Sequence, residues 1–463
     1  MRRNIFVDRE TELQQLERLL REPGFTLVFV YGRRRIGKTR LLSHFASGKT
    51  SVYYVAAEIP YESMCREFAE SVKRSLGLPF SGDILEVMVG IAKSIKKQVI
   101  IVIDEFQYAV DVDQSLPSRL QRLIDSELSD KNIMLILCGS AVSFFERRLL
   151  AYKSPLFGRR KASIRVRPLG IHQIGGFLPR YGPVELLRVY ATVGGTPAYL
   201  ECLSDKKSFE ENLRNVITPG SFLYDEALNI LRQEVREPRT YQTILFSVAN
   251  GKTSQSQIAS AAHIDPRSIV KYIELLEELE IITRVRPLGY RKPVRLRFKD
   301  NYFRFWFTYT HQLRTLLETG YVDEALSHIL ETFDNYLSRV FEDLVEELAP
   351  LLHHHRIVET RPIQVGRWWH KNTEIDVVIR DPGKSATFIE AKWSRISRKE
   401  AERILSELEE KAAKTGLSSP ENHYLLIAKQ LTGGEKTTLE KHRRAIDLKT
   451  LEKVIKPPIK AEK

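Results

Sequence analysis

Two groups of residues in this chain have types and spacings suited to chemistry. The first is Gly32-Arg33-Arg34-Arg35-Ile36-Gly37-Lys38-Thr39, two glycines with four residues between them followed by a lysine and a hydroxyl. Such a loop cradles phosphates: its backbone N–H groups wrap the anion, Lys38 reaches the terminal phosphates, and the Thr39 hydroxyl binds Mg2+. Arg40 follows at once as a further phosphate-side cation. Downstream, the apolar run QVIIVID ends in Asp104-Glu105, a pair in which Asp104 holds the metal and Glu105 polarises water. A third apolar run, NIMLILCGS, ends in Ser140, whose hydroxyl is placed to sense the γ-phosphate. The expected cofactors are ATP or ADP with Mg2+.

The second group lies in EIDVVIRDPGKSATFIEAK. A period of two puts Glu374 and Asp376 on one face of the first stretch, and Glu390 and Lys392 on one face of the second. Asp381-Pro382-Gly383 supplies the turn of a hairpin. A register symmetric about Gly383 sets Asp376 against Glu390 and Glu374 against Lys392, with cross-strand Cβ atoms about 5 Å apart. Two like charges on a half-buried face call for a cation between them, and Mg2+ fits, with Mn2+ as an alternative ion. Asp376 and Glu390 are then the metal carboxylates, Lys392 orients attacking water at a phosphodiester, and Glu342 adds a metal or water contact from a packed helix.

The elements that must hold these groups are legible in outline. The phosphate loop runs from a short apolar strand into a helix, and strand–helix alternation implies a parallel sheet with ligands at the carboxyl ends of its strands. Residues SQSQIASAAHIDPRSIVKYIELLEELEIITRV predict two helices around a turn at His263 to Asp265, with Asp265 as cap and Pro266 in the first helical position. Ile269, Ile273, Leu276 and Leu279 share one face of the second helix. The following RVRPLGYRKPVRLRFKD suits a hairpin wing, so the segment reads as a winged helix with Arg267, Lys271, Arg291, Lys292, Arg295 and Arg297 available to DNA. The aromatic run DNYFRFWFTYT is expected to be helical core. Phe333, Leu337, Phe341, Leu344 and Leu348 form the apolar stripe of the next helix, and His353, His354 and His355 are expected in a solvated loop.

Charge points to a polyanion. Lys and Arg number 72 against 59 Asp and Glu, and the surplus is concentrated. Nine basic residues and no acid lie between Arg147 and Gly182, and seven and none between Thr283 and Lys299. Such stretches favour phosphate backbones, whose neutralisation releases counterions. Cys65, Cys138 and Cys202 are too few and too scattered for metal ligation or a disulfide framework and are expected in the core, in a reducing compartment. No apolar run approaches the roughly 18 residues of a membrane span, so a cytoplasmic location and no membrane partner are expected.

The opening FVDRETELQQLERLL, the loop YGRRRIGKT, VIDEFQ, LCGSA, SPLFGRR and GGTPAYL together resemble the archaeal-type ATPases of the AAA+/STAND group of P-loop NTPases, over about the first 235 residues. The resemblance implies that Phe6 to Glu10, including Asp8 and Arg9, lie near adenine. It makes Arg159 or Arg160 a candidate arginine finger, with a phosphate-binding basic patch as the other reading. It also implies that the turn before Pro197 helps close a helical lid on the nucleotide, although a helix-capping turn has the same sequence. The acid of one strand followed by acid-x-Lys on the next resembles the PD-(D/E)xK nuclease superfamily over about residues 331 to 430. There Asp376, Glu390 and Lys392 match the signature positions and Glu342 the helical glutamate, while Glu374-Ile375 stands where the superfamily has proline.

The expected fold class is α/β multidomain: a P-loop parallel-sheet ATPase core (1–165), helical lid (166–235), winged helix (236–300), helical connector (301–330) and a restriction-endonuclease-like α/β domain (331–463). The expected function is ATP hydrolysis coupled to metal-dependent DNA cleavage. The alternatives are a STAND-type nucleotide switch whose C-terminal domain binds DNA without cutting it, and a scaffold binding RNA or protein. The expected partners are double-stranded or branched DNA and further copies of the chain.

Overall fold

The computed structural model describes residues 8–432, 436–440 and 442–456, and the chain divides into two compact units. The first comprises residues 8–168 with Thr196–Ala198; the second holds the remainder.

The first unit is built on β1 (Thr26–Tyr31), β2 (Ser51–Val55), β3 (Val99–Asp104), β4 (Ile133–Gly139) and β5 (Arg160–Arg165), all parallel, in the order β2-β3-β4-β1-β5. Every residue of β1, β3 and β4 is buried. Continuous Val/Ile/Leu runs are what a parallel sheet covered by helices on both faces requires. Alternate side chains feed two cores: Leu27, Phe29, Ile101, Ile103, Leu135 and Leu137 on one face, Val28, Val30, Val102 and Ile136 on the other. Burying each large apolar side chain stabilises by about 1.5–3 kcal/mol before chain entropy is counted. Because β4 lies between β1 and β3, the ends of these three strands share one edge, where the loop after β1 meets Asp104, Glu105 and Ser140.

In the second unit, helices Pro238–Ala249, Gln255–Ala261 and Ile269–Glu278 precede a two-stranded hairpin, β6 (Ile282–Val285) with β7 (Arg295–Phe298). The second helix of the pair starts at Ile269, three residues later than Pro266, because Asp265 caps a turn by accepting from the N–H groups of Arg267 and Ser268. Ile269, Ile273, Leu276 and Leu279 are all buried. The aromatic run is core as expected, with Tyr302, Phe303, Phe305, Trp306, Phe307 and Tyr309 each at most 5% exposed.

One 33-residue helix, Val322–His354, follows and runs through position 331. It carries His353 and His354 in its last turn, and His353 Nδ1 lies 3.2 Å from the carbonyl of Val358, so the histidines end a helix where a loop was expected. The helix packs on a mixed six-stranded sheet of order β12-β13-β11-β10-β9-β8. Its strands are β8 (Gln364–His370), β9 (Thr373–Asp381), β10 (Ser385–Ile396), β11 (Glu421–Leu431), β12 (Lys436–Glu440) and β13 (Arg443–Asp447). Helix Arg398–Ala413 covers the sheet through Ala401, Leu405 and Leu408. Cys65 and Cys138 are buried, but Cys202 is exposed, which corrects its placement in the core. Among the described residues no helix is long and apolar enough to cross a membrane.

Candidate functional site: a phosphate loop and a carboxylate cluster

The loop after β1 turns on Gly32, whose φ is +152°; a Cβ there would fall 2.3 Å from the Val166 carbonyl oxygen and 2.6 Å from Ile36 Cδ1. Only glycine fits so close a backbone approach. The helix begins at Lys38, directly after Gly37 in the left-handed region. Lys38 is 6% exposed and its ammonium donates to the carbonyls of Gly32 (2.7 Å) and Arg33 (2.9 Å), across the mouth of the loop. Arg9 braces the loop from outside: its guanidinium donates to the carbonyls of Ile36 at 3.0 Å and Arg167 at 2.9 Å. Arg34 donates to the Tyr108 hydroxyl, and Arg35 contributes its carbonyl to the N–H of Ala198. Pro197 sits beside Gly37, its Cγ 3.9 Å from where a Cβ would be. Phe6 and Val7 lie outside the described residues.

Thr39 and Asp104, expected to share a magnesium ion, meet: the hydroxyl donates to Asp104 Oδ2 at 2.9 Å. The Tyr53 hydroxyl donates to the same oxygen at 2.7 Å, a partner that no motif spacing reveals because it projects from the neighbouring strand. Burial, then the Asp104 charge, pushes the Tyr53 phenol well above its ordinary range, so it remains a neutral donor. Glu105 has φ of +51°, and its Oε2 accepts from Ser140 N–H (3.1 Å), Ser140 Oγ (2.8 Å) and Gln107 Nε2 (2.5 Å). The hydroxyl expected to sense phosphate is thus held by Glu105. Arg159 forms a two-point pair with Asp125 (2.7 and 3.0 Å) at the surface, and Arg160 donates to the Phe157 carbonyl and stacks on that ring.

In the second unit, β9 and β10 pair from Asp381–Ser385 to Val377–Ile389, the register anticipated around Gly383. Beyond that point the two strands part, while β9 stays paired with β8 along its other edge. Asp376 fills the opening, accepting the Ala391 N–H at 2.9 Å, and Glu390 is the next residue of β10 after the last pair. Glu374 does not face Lys392; it lies opposite Trp369, and Arg295 donates to its carboxylate at 3.0 Å.

Asp376 is 8% and Glu390 6% exposed. Burial, then the Glu390 charge, raises the Asp376 carboxyl to about 6; burial, then the Asp376 charge, raises Glu342 to about 7. The three acids therefore feel one another. Lys392 donates to Glu390 at 2.8 Å, and Glu390 raises the lysine above its ordinary range against the opposing pull of burial. Lys411 reaches the same carboxylate at 3.3 Å from helix Arg398–Ala413, and Arg367 of β8 donates to Glu342 at 3.2 Å. Neither was found in the sequence, since nothing local to position 411 or 367 names its partner.

The expected DNA-facing cations divide. Arg297 pairs with Asp343 (2.7 Å) and Glu346 (2.9 Å), and Arg295 pairs with Glu374 while stacking on Trp369. Arg304, Arg297 and Arg367 hold the Asp343 carboxyl down to about 2 although full burial alone would raise it. Arg297 is thus held by two acids of the long helix, whereas the Arg295–Glu374 pair is partly exposed to solvent.

The family model for an ATPase domain predominantly from Archaea matches residues 6–203, and models of unstated function match 184–308 and 306–404. An uncharacterized protein of Methanocaldococcus jannaschii, MJECL04, is 30% identical over 436 residues, covering 93% of this chain and 97% of that protein. The chain belongs to the same archaeal ATPase family. A short segment is 47% identical over 45 residues to an uncharacterized ATP-binding protein of the same organism, MJ0423, covering 10% of this chain and 76% of that one. The Walker-type ATPase PABY2304 of Pyrococcus abyssi shares the fold over 66% of this chain and 97% of its own, with a TM-score of 0.51 at 19% identity. The archaeal ATPase thus carries a parallel-sheet P-loop domain that binds nucleotide, and a separate C-terminal domain with a mixed sheet.

Proposed function

We propose that the archaeal ATPase couples Mg2+-ATP hydrolysis to metal-dependent phosphodiester cleavage in its C-terminal domain. Lys38 and the loop N–H groups hold the phosphates, Thr39 and Asp104 the magnesium ion, and Glu105 polarises water once released from Ser140 and Gln107. At the second site Asp376 and Glu390 hold a divalent metal, Glu342 positions metal-bound water, and protonated Lys392 steadies charge on the phosphate. One observation carries this reading: Asp376 on a strand and Glu342 on a helix are raised to about 6 and 7, each by burial first and then by the charge of a neighbouring acid. Burial and the charge of a neighbouring acid leave these two carboxyls favouring a compensating cation. The helix pair and hairpin fit a winged helix, with Arg267, Lys271, Arg291 and Lys292 as its DNA-facing cations; DNA is the intended substrate.

A second reading follows from Lys411. With Lys392 it already gives Glu390 two ammonium partners, so the domain could hold DNA without a metal and act as a nucleotide-dependent switch. The test incubates linear, supercoiled and branched DNA with the wild type, Lys38→Ala and Asp376→Ala in Mg2+ or Mn2+, with and without ATP. Cleavage lost in Asp376→Ala supports the nuclease; DNA binding with no cleavage under any condition leaves the switch.

A further inference from the structure

A cavity of about 630 Å3 opens within the second unit, between the long helix Val322–His354 and the hairpin and aromatic segment that precede it. Its size is that of a small-molecule site. The wall formed by the helix carries Asn335, Arg339 and Glu342, which lie on successive turns of one face. Arg339 and Glu342 are three residues apart, so a group bound by the arginine is one helical turn from the carboxylate cluster. Facing them are Phe298, Tyr309 and Leu313. The lining holds four arginines against two carboxylates. Arg297, Arg304 and Arg367 are spent on Asp343, whereas Arg339 is exposed and makes no ion pair or hydrogen bond among the described residues.

We propose that this cavity takes one unpaired nucleotide of a nucleic-acid strand, its base against Phe298 and Tyr309 and its phosphate at Arg339. The pairing of an apolar wall edged by two aromatic rings with a single guanidinium that makes no ion pair among the described residues matches the two chemistries of a nucleotide: a flat, largely apolar base and a phosphate, which an arginine binds in two-point fashion. A base still paired in a duplex brings its partner strand, which this volume cannot enclose. Where the inference rests on the nuclease reading, it adds that the phosphodiester next to the bound nucleotide is the one presented to Glu342 and Asp376, so that strand ends and unpaired segments are the preferred substrates.

Full-length protein carrying Asp376→Asn, which preserves the probe, is titrated with fluorescein-labelled oligothymidylate, oligouridylate and blunt duplex in Ca2+, with anisotropy as readout. Adding Arg339→Ala should weaken single-strand binding about tenfold, the loss of one charge-assisted contact, and leave duplex binding unchanged. Arg339→Lys should recover part of the loss. Leu313→Trp, which fills the cavity, should weaken the single strand alike, with thermal melting reporting that the fold is kept. Arg339-dependent binding of either oligomer supports the pocket, and the tighter one names its sugar. Single-strand affinity indifferent to Arg339, or duplex binding weakened equally, overturns it. Wild-type cleavage is scored apart: Arg339-dependent binding without cleavage removes the nuclease reading and keeps the pocket, while duplex cleavage with Arg339-independent binding does the reverse.

Discussion

The two carboxylate sites of the archaeal ATPase solve the burial of acids differently. Around Asp104 and Glu105 the partners are neutral: the hydroxyls of Thr39, Tyr53 and Ser140, the amide of Gln107 and backbone N–H groups. Such donors orient an anion without cancelling its charge, which on the proposed reading leaves Thr39 and Asp104 in place for magnesium. Glu390 and Glu342 are met by cations, Lys392, Lys411 and Arg367, while Asp376 accepts the Ala391 N–H, and burial followed by a neighbouring acid's charge raises the Asp376 and Glu342 carboxyls. On the proposed reading, the hydroxyl-dressed acid receives a metal carried by the nucleotide, whereas proton, ammonium and metal compete for the raised carboxyls.

The largest effect that would break this contrast is expected at the phosphate loop. Lys38→Ala should lower ATP hydrolysis by at least about 100-fold in steady-state assays, the scale of removing one charge-stabilising group. Unchanged turnover would dissociate the loop from hydrolysis. Next comes the pH dependence of stability in the absence of divalent ions. Both Asp376 and Glu342 have folded-state carboxyls raised above their ordinary 3.8 and 4.5. Their protonation favours the fold, so that contribution is complete below about pH 4 and is lost as pH rises through about 6 and 7. Melting between pH 4.5 and 8 should show a loss on the order of 2 kcal/mol that Glu342→Gln reduces and saturating Mg2+ offsets. A smaller change is expected for Tyr53→Phe: the Mg2+ concentration giving half-maximal ATPase activity should rise about fivefold, through loss of one hydrogen bond to Asp104 of about 1 kcal/mol. An unaltered Mg2+ profile would make Tyr53 a packing residue only. Smallest is Arg159→Ala, whose exposed pair with Asp125 should change unfolding free energy by under about 1 kcal/mol in urea titration.

How much of this was legible in the chain depends on how far each partner lies. The phosphate loop, the strand ending in Asp104 and the hairpin register to Ile389 are short-range patterns fixed by glycine geometry, apolar runs and the period of two, and they read directly. The divergence of β9 from β10 did not, because it is marked by Asp376 accepting the Ala391 N–H, a side-chain contact that leaves no local spacing. The seven basic residues from Thr283 to Lys299 read as a free cationic wing because no acid lies near them in sequence. Yet Arg297 finds Asp343 across 46 residues and Arg295 finds Glu374 across 79. Lys411 and Arg367 were missed for the same reason: an ion pair across a sheet leaves no local spacing. Cys202 was placed in the core by residue type alone, and its position in a short exposed segment overrode that preference.

Calorimetric titration of Mn2+ at pH 6.5 into Lys38→Ala protein without nucleotide asks whether the C-terminal acids form a divalent-metal site. The expected result is one ion bound with release of close to one proton, since Glu342 is then largely protonated, and loss of that binding in Asp376→Asn. Absence of binding, or binding that survives Asp376→Asn, would contradict it.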